Sequence, residues 1–266
     1  MKAWEGVGEA YAASYASLCA GTHDDLLRRL GTSRGRRLLD VGACTGALAA
    51  RLMGAGWRVT ACEPESTMRA VAAREHPQVF VVDAMLPSLP FADAAFDAVT
   101  ANFVLNHVSD PREAARELTR VVAPGGTLIA TTWVVSPSWF WRSVCDRAGL
   151  VVTPGGGLAP EKDFERTSTG FGRMLSEGGW PAVEVFELSW TWRATVDELW
   201  RSAEGGVASA GAFYLSLDAA GRQSFARAFD QLCQEYGDDG TVALDHTAAV
   251  ASAVLDARAG AGRAHA

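Results

Sequence analysis

The stretch Leu38-Leu39-Asp40-Val41-Gly42-Ala43-Cys44-Thr45-Gly46 decides the fold of this chain. An apolar run ends in an acidic residue, a glycine-rich turn follows, and the helical pattern of residues 47–53 begins directly after it. Such a turn presents the free N–H groups of a helix N-terminus, and its glycines let a ligand approach the backbone. No Gly-Lys-Ser/Thr follows as in a P-loop, and the glycine spacing differs from GxGxxG. The stretch therefore predicts another kind of small-molecule site, where the first strand meets a helix.

Apolar strands and helices alternate around this stretch. The predicted strands are 37–41, 57–62, 79–82, 96–101 and 127–132, and the predicted helices between them are 47–53, 66–75 and 111–122. This alternation is typical of an α/β protein with helices on both faces of a parallel sheet. We therefore expect a Rossmann-like, doubly wound, mostly parallel sheet. Right-handed crossovers place all strand C-terminal ends at one edge, where ligands of such sheets bind.

The remaining segments are predicted to complete a single domain. Residues 1–30 show helical spacing and predict N-terminal covering helices, and residues 31–133 are predicted to form the Rossmann-like core. Residues 134–240 are predicted to form a substrate-side helical lid with a sixth strand at 183–192. Residues 241–266 are predicted to hold a seventh strand at 241–244 and a last helix at 248–257. We expect the seventh strand to insert antiparallel at the sheet edge.

Composition narrows the classes of partner. The chain has 266 residues, 24 Lys and Arg against 31 Asp and Glu, and a net charge of −7, which disfavours a nucleic-acid partner. It contains no apolar run of membrane-spanning length and no signal-peptide pattern. Its five cysteines form no CxxC pair, which is typical of reduced cysteines in a cytoplasmic protein. Its five histidines are scattered, so we expect no metal site. We expect the protein to be a monomer or a homodimer.

The segment from Asp40 to Gly46 resembles the D-x-G-x-G-x-G motif of class I S-adenosylmethionine (SAM)-dependent methyltransferases. Further segments are similar to that family in the same order, and each follows a predicted strand or helix. They are Glu63-Pro64, Asp83-Ala84-Met85, Asn102 to His107 and Leu118 to Gly126. The resemblance implies SAM as cofactor, S-adenosylhomocysteine as product, and methyl transfer to an O, N or C atom of a small molecule.

The resemblance also implies where the cofactor contacts lie. The methionine part would be held by Asp40, Gly42, Ala43 and Gly46, the ribose by Glu63 and Pro64, and the adenine by Asp83, Ala84 and Met85. Asn102 would touch the cofactor or cap its strand. Tyr11 and Tyr15 are four residues apart and are expected on one face of the first helix, where either contacts the methionine part or packs in the core.

Three further residues, His107, Cys44 and His246, each have a structural alternative to a functional role. His107 is the candidate catalytic base, because histidine titrates near neutrality, and the alternative is packing against the cofactor or its own loop. Cys44 stands where the family motif has its middle glycine, and its side chain either crowds the cofactor or is tolerated at a negative φ. No base is visible beside it, so a nucleophilic role is disfavoured. His246 is expected to be structural.

Seven of the nine tryptophans lie between Trp133 and Trp200. They either form the core of the added helices or wall an acceptor pocket, and we expect the second for some of them. With the acidic charge, this predicts an aromatic or apolar specialised metabolite as acceptor.

Two alternatives to methyl transfer stay open. One is a SAM-binding protein of this fold that catalyses another reaction, such as a cyclisation. The other is a non-catalytic SAM-binding module.

Overall fold

The structure, a computed structural model, describes residues 4–152 and 158–257. Its strands are β1 (Arg37–Val41), β2 (Arg58–Cys62), β3 (Val81–Val82), β4 (Phe96–Ala101), β5 (Val122–Val135), β6 (Glu184–Thr195), β7 (Gly237–Asp238) and β8 (Thr241–Val254). The main sheet has seven strands in the order β3-β2-β1-β4-β5-β8-β6, and the two-residue β7 pairs only with β8. Strands β1 to β5 pair in parallel, whereas β8 is antiparallel to both β5 and β6. The predicted fold class is confirmed, including the antiparallel last strand. The expected place of that strand at the sheet edge is wrong, because β8 inserts between β5 and β6.

The helices follow the strands as the sequence pattern indicates in the core and depart from it in the added regions. They are α1 (Gly8–Ala12), α2 (Tyr15–Cys19), α3 (His23–Leu30), α4 (Ala47–Gly54), α5 (Ser66–Glu75), α6 (Pro111–Val121), α7 (Ser138–Ala148), α8 (Ser168–Glu177), α9 (Val196–Glu204), α10 (Ala208–Ser216) and α11 (Ala219–Tyr236). Helix α6 begins where local chemistry requires, because the Asp110 side chain accepts from the Glu113 N–H and Pro111 occupies the first turn.

The prediction of one N-terminal helix carrying both tyrosines is wrong. The chain breaks at Ser14, whose φ of −143° and ψ of −91° lie outside the helical region. The Ser14 hydroxyl donates to the Ala10 carbonyl at 2.6 Å, which supplies a local alternative to a helical backbone bond. Tyr11 therefore lies on α1 and Tyr15 on α2, and the two side chains do not share one helical face.

The predicted last helix at 248–257 is also wrong. Strand β8 continues through this segment to Val254, and residues 258–266 lie outside the described part of the chain. The strand lies between β5 and β6, and its alanines at 248, 249, 251 and 253 are buried. Pairing on both edges therefore outweighs the helical preference of alanine.

Apolar clusters lie on both faces of the sheet and beyond one edge. Alternate residues serve opposite faces, so Leu38 packs with α3 and α4 whereas Leu39 packs with α6 and α8. A third cluster joins α7, α9 and α11 to the start of β8 and the end of β6, beside the C-terminal ends of the parallel strands. We call it the cap cluster. It covers the edge at which ligands of such sheets bind.

Candidate active site

The turn between β1 and α4 has the backbone of an open, ligand-facing loop. Gly42, Cys44 and Gly46 have φ values of +66°, +50° and +80°. A Cβ added at Gly42 would lie 2.5 Å from a methyl carbon of Val104, so packing as well as conformation requires glycine there. The N–H groups of Gly42 and Ala43 donate to the Cys62 carbonyl, at 2.9 and 3.0 Å, and this fixes the turn to β2.

Asp40, at the end of β1, carries a buried carboxylate oxygen without a partner. The residue is 1% exposed, and its Oδ1 accepts from the Thr100 hydroxyl at 2.7 Å. Oδ2 has no hydrogen-bond partner among the described residues. Burial raises the pKa of Asp40 to about 7, and the neighbouring charge of Glu63 adds to the rise. A bound cation such as an ammonium group would satisfy both the free oxygen and the charge.

Glu63 follows β2 and is held by backbone donors. Its Oε2 accepts from the Cys44 N–H at 3.0 Å and its Oε1 from the Glu65 N–H at 2.9 Å. Burial raises its pKa, and the two backbone bonds oppose this rise. Each oxygen keeps accepting capacity beyond its single bond, so the fixed carboxylate could receive two hydroxyl groups of a sugar.

A cavity brings the β1–α4 turn together with the N-terminal helices. It is lined by Tyr11, Ala16, Cys19, His23, Asp40, Gly42, Ala43, Cys44, Thr45, Ala47, Leu48 and Asn102. The Tyr11 hydroxyl interacts with the thiols of Cys19 and Cys44. Sequence analysis missed Ala16, Cys19 and His23, because no motif connects these helical residues with the turn at residue 42. His23 is buried, and burial lowers its pKa to about 4.

Asn102 connects the cavity to the N-terminal helices. Its Oδ1 accepts from the hydroxyls of Thr22 and Thr131, at 2.9 and 2.7 Å, and its Nδ2 donates to the Cys19 carbonyl at 3.4 Å. The side chain therefore lines the cavity and also holds the segment that covers it.

The two tyrosines divide between the cavity and the cap cluster. Tyr11 lines the cavity, whereas the buried Tyr15 hydroxyl accepts from the Trp141 indole N–H at 2.8 Å. The Tyr15 ring also meets that of Trp192 edge-on, with centroids 6.0 Å apart. Tyr15 is absent from the cavity lining and packs as a core residue.

The residues expected at the adenine lie outside this cavity. Asp83 is exposed and forms an ion pair with Arg69 at 2.8 Å, Ala84 is buried, and Met85 is 42% exposed. Arg69 also donates to the carbonyls of Glu63 and Pro64, at 2.9 and 2.7 Å. One guanidinium thus connects the ends of β2 and β3, the region where the ribose and adenine are expected.

His107 lies in the loop after β4 and does not line the cavity. The residue as a whole is exposed, but desolvation of its ring lowers the pKa of His107 to about 4, and the charge of Arg166 adds to the fall. Its Nε2 is 2.9 Å from the side-chain amide nitrogen of Asn106. The ring of Trp4 meets it edge-on at 5.0 Å, and Trp4 in turn contacts Tyr11 at 6.1 Å. His107 is therefore separated from the cavity by these two aromatic rings.

Cys44 does not have the negative φ under which a side chain at this position is readily tolerated. Its φ of +50° lies in the left-handed region that favours the glycine of the motif. Burial raises the pKa of its thiol well above the usual range, with Glu63 contributing. The neutral thiol is a poor nucleophile, in line with the expectation from sequence.

Comparison with known proteins decides the family. A family model described as a methyltransferase domain matches residues 39–130. The demethylmenaquinone methyltransferase of Renibacterium salmoninarum is 39% identical over 100 residues, which cover 38% of this chain and 42% of the relative. The ubiquinone/menaquinone biosynthesis C-methyltransferase of Rubrivivax gelatinosus is 30% identical over 176 residues, or 61% of this chain and 70% of the relative. The chain belongs to the class I SAM-dependent methyltransferases.

This membership confirms the predicted family and its cofactor, SAM. The crystal structure of the [4+2]-cyclase SpnF shares the methyltransferase fold at a TM-score of 0.50 and 25% identity, covering 89% of this chain and 81% of that one. The chain spans 42% to 56% of the length of four demethylmenaquinone methyltransferases that it matches. The matched domain holds the cofactor motifs, whereas α1, α2 and most of the cap cluster lie outside it.

The tryptophans between residues 133 and 200 occupy three environments. Trp141 and Trp192 are buried in the cap cluster, whereas Trp180 packs under α6 and donates its indole N–H to the Ala115 carbonyl at 3.1 Å. Trp133 and Trp190 lie toward the end of the sheet where the parallel strands have their C-termini, and both are only partly buried. The sequence predicted two environments, core and pocket wall, and could not distinguish which residue belongs to which.

Within residues 4–152 and 158–257, the chain has no group of three or more His, Cys, Asp or Glu side chains placed to hold a metal ion. In the same ranges, no helix has the length and apolar character needed to cross a membrane.

Proposed function

We propose that this protein transfers the methyl group of SAM to a small aromatic or apolar molecule. The observation that carries the proposal is Asp40, whose buried, unpartnered oxygen lies at the glycine turn of a methyltransferase domain. A buried acceptor normally has a donor, and the ammonium of a methionine part supplies a charged one. The position of this oxygen therefore fits the cofactor of the family.

The other cofactor contacts follow from the same edge of the sheet. In this proposal Glu63 accepts from the ribose hydroxyls, Pro64 lies beside it, and the adenine packs near Asp83, Ala84 and Met85. Gly42, Ala43 and Gly46 let the methionine part approach the backbone, and Tyr11 and Asn102 close the cavity over it. Tyr15 supports this cover through its bond to Trp141 rather than by touching the cofactor.

When bound, SAM supplies an electrophilic methyl group on a sulfonium. The protein contributes position and exclusion of water, because in-line displacement needs an aligned nucleophile and a dry site. His107 is proposed as the base for acceptors that lose a proton. Its ring next to Trp4 places it at the outer side of Tyr11, so this role requires the acceptor to extend in that direction. Its pKa of about 4 keeps the imidazole unprotonated at neutral pH, the form that accepts a proton. No step of the proposal uses a metal ion.

The acceptor class rests on the cap cluster and on the relatives. Relatives are named for demethylmenaquinone and for ubiquinone and menaquinone biosynthesis, and aromatic side chains are concentrated where an acceptor would meet the cofactor. We therefore propose a planar aromatic acceptor, within specialised metabolism, for a cytoplasmic enzyme that is a monomer or a homodimer. The net charge of −7 favours a small molecule over nucleic acid.

The test is incubation with methyl-labelled SAM and a panel of phenols, naphthols and hydroquinones. We expect label in one acceptor class and release of S-adenosylhomocysteine. Asp40→Asn should abolish labelling by weakening SAM binding, whereas Glu184→Gln, which removes an exposed carboxylate on β6, should not. Binding of SAM without label in any acceptor would contradict methyl transfer.

A second candidate function is a cyclisation that needs bound SAM but leaves its methyl group in place. The similarity to the [4+2]-cyclase SpnF favours this alternative specifically. Replacing SAM with S-adenosylhomocysteine separates the two activities, because methyl transfer stops and a cyclisation continues. If neither reaction occurs while SAM still binds, the protein is a SAM-binding module.

A further inference from the structure

His246 on β8 is a buried imidazole that the cofactor site does not use. The residue is 1% exposed, and neither ring nitrogen has a hydrogen-bond partner among the described residues. Burial lowers its pKa to about 4, although the nearby Val135 carbonyl and the Asp245 carboxylate oppose this. The neutral ring has one donor and one acceptor nitrogen, and buried polar atoms normally have partners. The Val135 carbonyl lies close enough to serve the donor nitrogen, so the described chain leaves at least the acceptor nitrogen of the ring unused.

Strand register places His246 at the same edge and on the same face as the cofactor cavity. Asp40 is paired with Thr100, and two residues further along β4 is Asn102, which lines the cavity. Trp133 on β5 is paired with Ala248, and His246 lies two residues beyond Ala248 toward the edge. Alternate residues of a strand point to one face, so this side of the sheet runs from Asp40 through Asn102 and Trp133 to His246.

Three tryptophans surround the imidazole. The ring centroids of Trp133, Trp190 and Trp192 lie 5.8, 6.0 and 6.3 Å from that of His246. Phe103, directly after the cavity residue Asn102, stacks on Trp133 with centroids 3.9 Å apart and planes 11° apart. A continuous aromatic wall therefore leads from the cofactor cavity to His246.

The indole N–H of Trp190 is the second unused polar group in this wall. It is buried and has no partner among the described residues. The backbone of Gly21 lies directly against this indole nitrogen. A Cβ added to Gly21 would lie only 2.3 Å from the nitrogen, so there is no space for a side chain at residue 21. Gly21 belongs to the turn that Asn102 holds through Thr22. A shift of this turn would uncover the indole N–H, and the imidazole lies beside that indole at a ring-centroid distance of 6.0 Å.

We propose that His246 and Trp190 bind the acceptor, and that the acceptor is an aromatic ring bearing a hydroxyl group. The hydroxyl accepts from the indole N–H of Trp190 and donates to the acceptor nitrogen of His246, while the ring packs against the face of Trp190 that the turn now covers. The rings of Trp133 and Trp190 stay in contact, with centroids 5.6 Å apart. A hydroxyl fits because it is the small group that both donates and accepts. The acceptor enters as the turn at Ala20–Thr22 moves away from Trp190. This inference rests on the proposed function for the statement that the ligand is the methyl acceptor.

Three variants test the assignment. His246→Phe keeps an aromatic ring without polar atoms, His246→Gln keeps hydrogen-bonding capacity, and Trp139→Phe is the matched control in the same cluster, where it contacts Phe140 and Tyr236 instead. The probe is 2-naphthol, with naphthalene as its apolar analogue. Binding is measured by calorimetry on protein saturated with S-adenosylhomocysteine, and thermal unfolding and SAM affinity are measured in parallel.

We expect wild type to prefer 2-naphthol over naphthalene and His246→Phe to lose this preference. The affinity of His246→Phe for 2-naphthol should fall about tenfold, the loss expected when one hydrogen bond is removed in a buried site. SAM affinity should stay unchanged, and the melting temperature should stay equal or rise because an unsatisfied buried ring is replaced by an apolar one. A residue with only a structural role would change the melting temperature without changing the naphthol preference. His246→Gln should retain more of the preference than His246→Phe, and Trp139→Phe all of it.

Equal 2-naphthol affinity in wild type and His246→Phe would overturn the inference, since the imidazole would then serve a buried water only. Absence of any 2-naphthol binding to wild type would overturn it as well. If 2-naphthol binds in a His246-dependent way but no phenolic acceptor is ever labelled from SAM, the proposed methyl transfer fails while the binding site stands.

Discussion

At the scale of single residues, Asp40 connects the electrostatics of the fold to cofactor binding. Its pKa of about 7 means that the carboxyl group is largely protonated below neutrality. An ammonium group binds the charged form, so binding must then expel a proton. We expect SAM affinity to fall about tenfold for each pH unit below about 7. Calorimetric titration between about pH 5.5 and about pH 7.5 measures this slope.

Two variants separate Asp40 from other titrating groups in that experiment. Asp40→Asn should bind SAM weakly and with little pH dependence, whereas Glu63→Gln should bind weakly but retain the slope. A wild-type affinity that is flat across the range would show that Asp40 does not receive the cofactor ammonium.

The same pKa makes a prediction about stability without cofactor. The folded-state pKa of Asp40 lies above the unfolded value of 3.8, so the folded protein holds the proton more tightly. Its contribution to stability is complete below about pH 4 and is lost as the pH rises through about 7. Asp40→Asn should therefore melt at a higher temperature relative to wild type at about pH 7.5 than at about pH 4. An equal difference at both pH values would contradict the buried, unpartnered carboxylate.

Cys44 carries a conformational cost that a glycine would not. Its φ of +50° is unfavourable for an L-residue, by about 1 to 2 kcal/mol. Cys44→Ala removes the thiol and keeps the strain, whereas Cys44→Gly removes both. We expect Cys44→Gly to be more stable than Cys44→Ala by about 1 kcal/mol in urea unfolding. If the alanine variant is the more stable of the two, the left-handed conformation at this position is not a source of strain.

At the scale of elements, the cover of the cavity depends on one side chain. Asn102→Ala would leave the buried hydroxyl of Thr131 without its acceptor, at a cost of about 1 to 3 kcal/mol. It would also remove one of the two acceptors of the Thr22 hydroxyl, which keeps the Cys19 carbonyl at 3.0 Å. We expect amide hydrogen exchange in residues 15–22 to rise at least about tenfold, because local opening of α2 becomes easier. Thr191→Val is the control, since it removes an exposed bond to Asp245 on the far side of the sheet. Unchanged exchange in Asn102→Ala would show that other contacts hold the cover.

Elements of the core were predictable because their local signals agree. β1, β2 and β4 are apolar runs that end at the turn or acidic residues of the motifs, and Asp40 and Glu63 could be located from those strand ends. The start of β8 was predicted as a strand, but its second half, from residue 248, was mistaken for a helix because its alanines favour a helix in isolation. Only the pairing with β5 and β6 makes that half a strand. The break at Ser14 depends on one hydroxyl bond that no periodicity records.

The site was predictable only where it is local in sequence. Cys19 and His23 meet the turn at Cys44 through tertiary contact, and His246 reaches the edge through strand register. The sequence gives no signal for such meetings, since each of these residues is isolated in its own segment. The same limit explains why Tyr11 and Tyr15, which looked equivalent, lie in different environments.

At the scale of the whole molecule, β8 joins the cofactor core to the cap cluster. It pairs with β5 on one side and with β6 on the other, and β6 leads directly into α9. Residues from the start of β8, including Val242 and Leu244, belong to the cap cluster, whereas Val250 packs with α3 and α4. The core and the cap are therefore expected to unfold together in one transition.

Two charged substitutions in β8 test this coupling. Val250→Asp places an unpaired carboxylate in a fully buried position between β5 and β6, at a cost comparable to the stability of a typical domain. Val254→Asp makes the same change at the end of the strand, where the residue is 59% exposed. We expect Val250→Asp to lose both the far-ultraviolet circular dichroism of its secondary structure and the native tryptophan fluorescence. Val254→Asp should resemble wild type in both signals. Because seven of the nine tryptophans belong to the cap cluster or pack against it, fluorescence reports mainly on the cap side. A Val250→Asp protein that keeps native fluorescence while its dichroism is lost would show that the cap folds independently of the sheet.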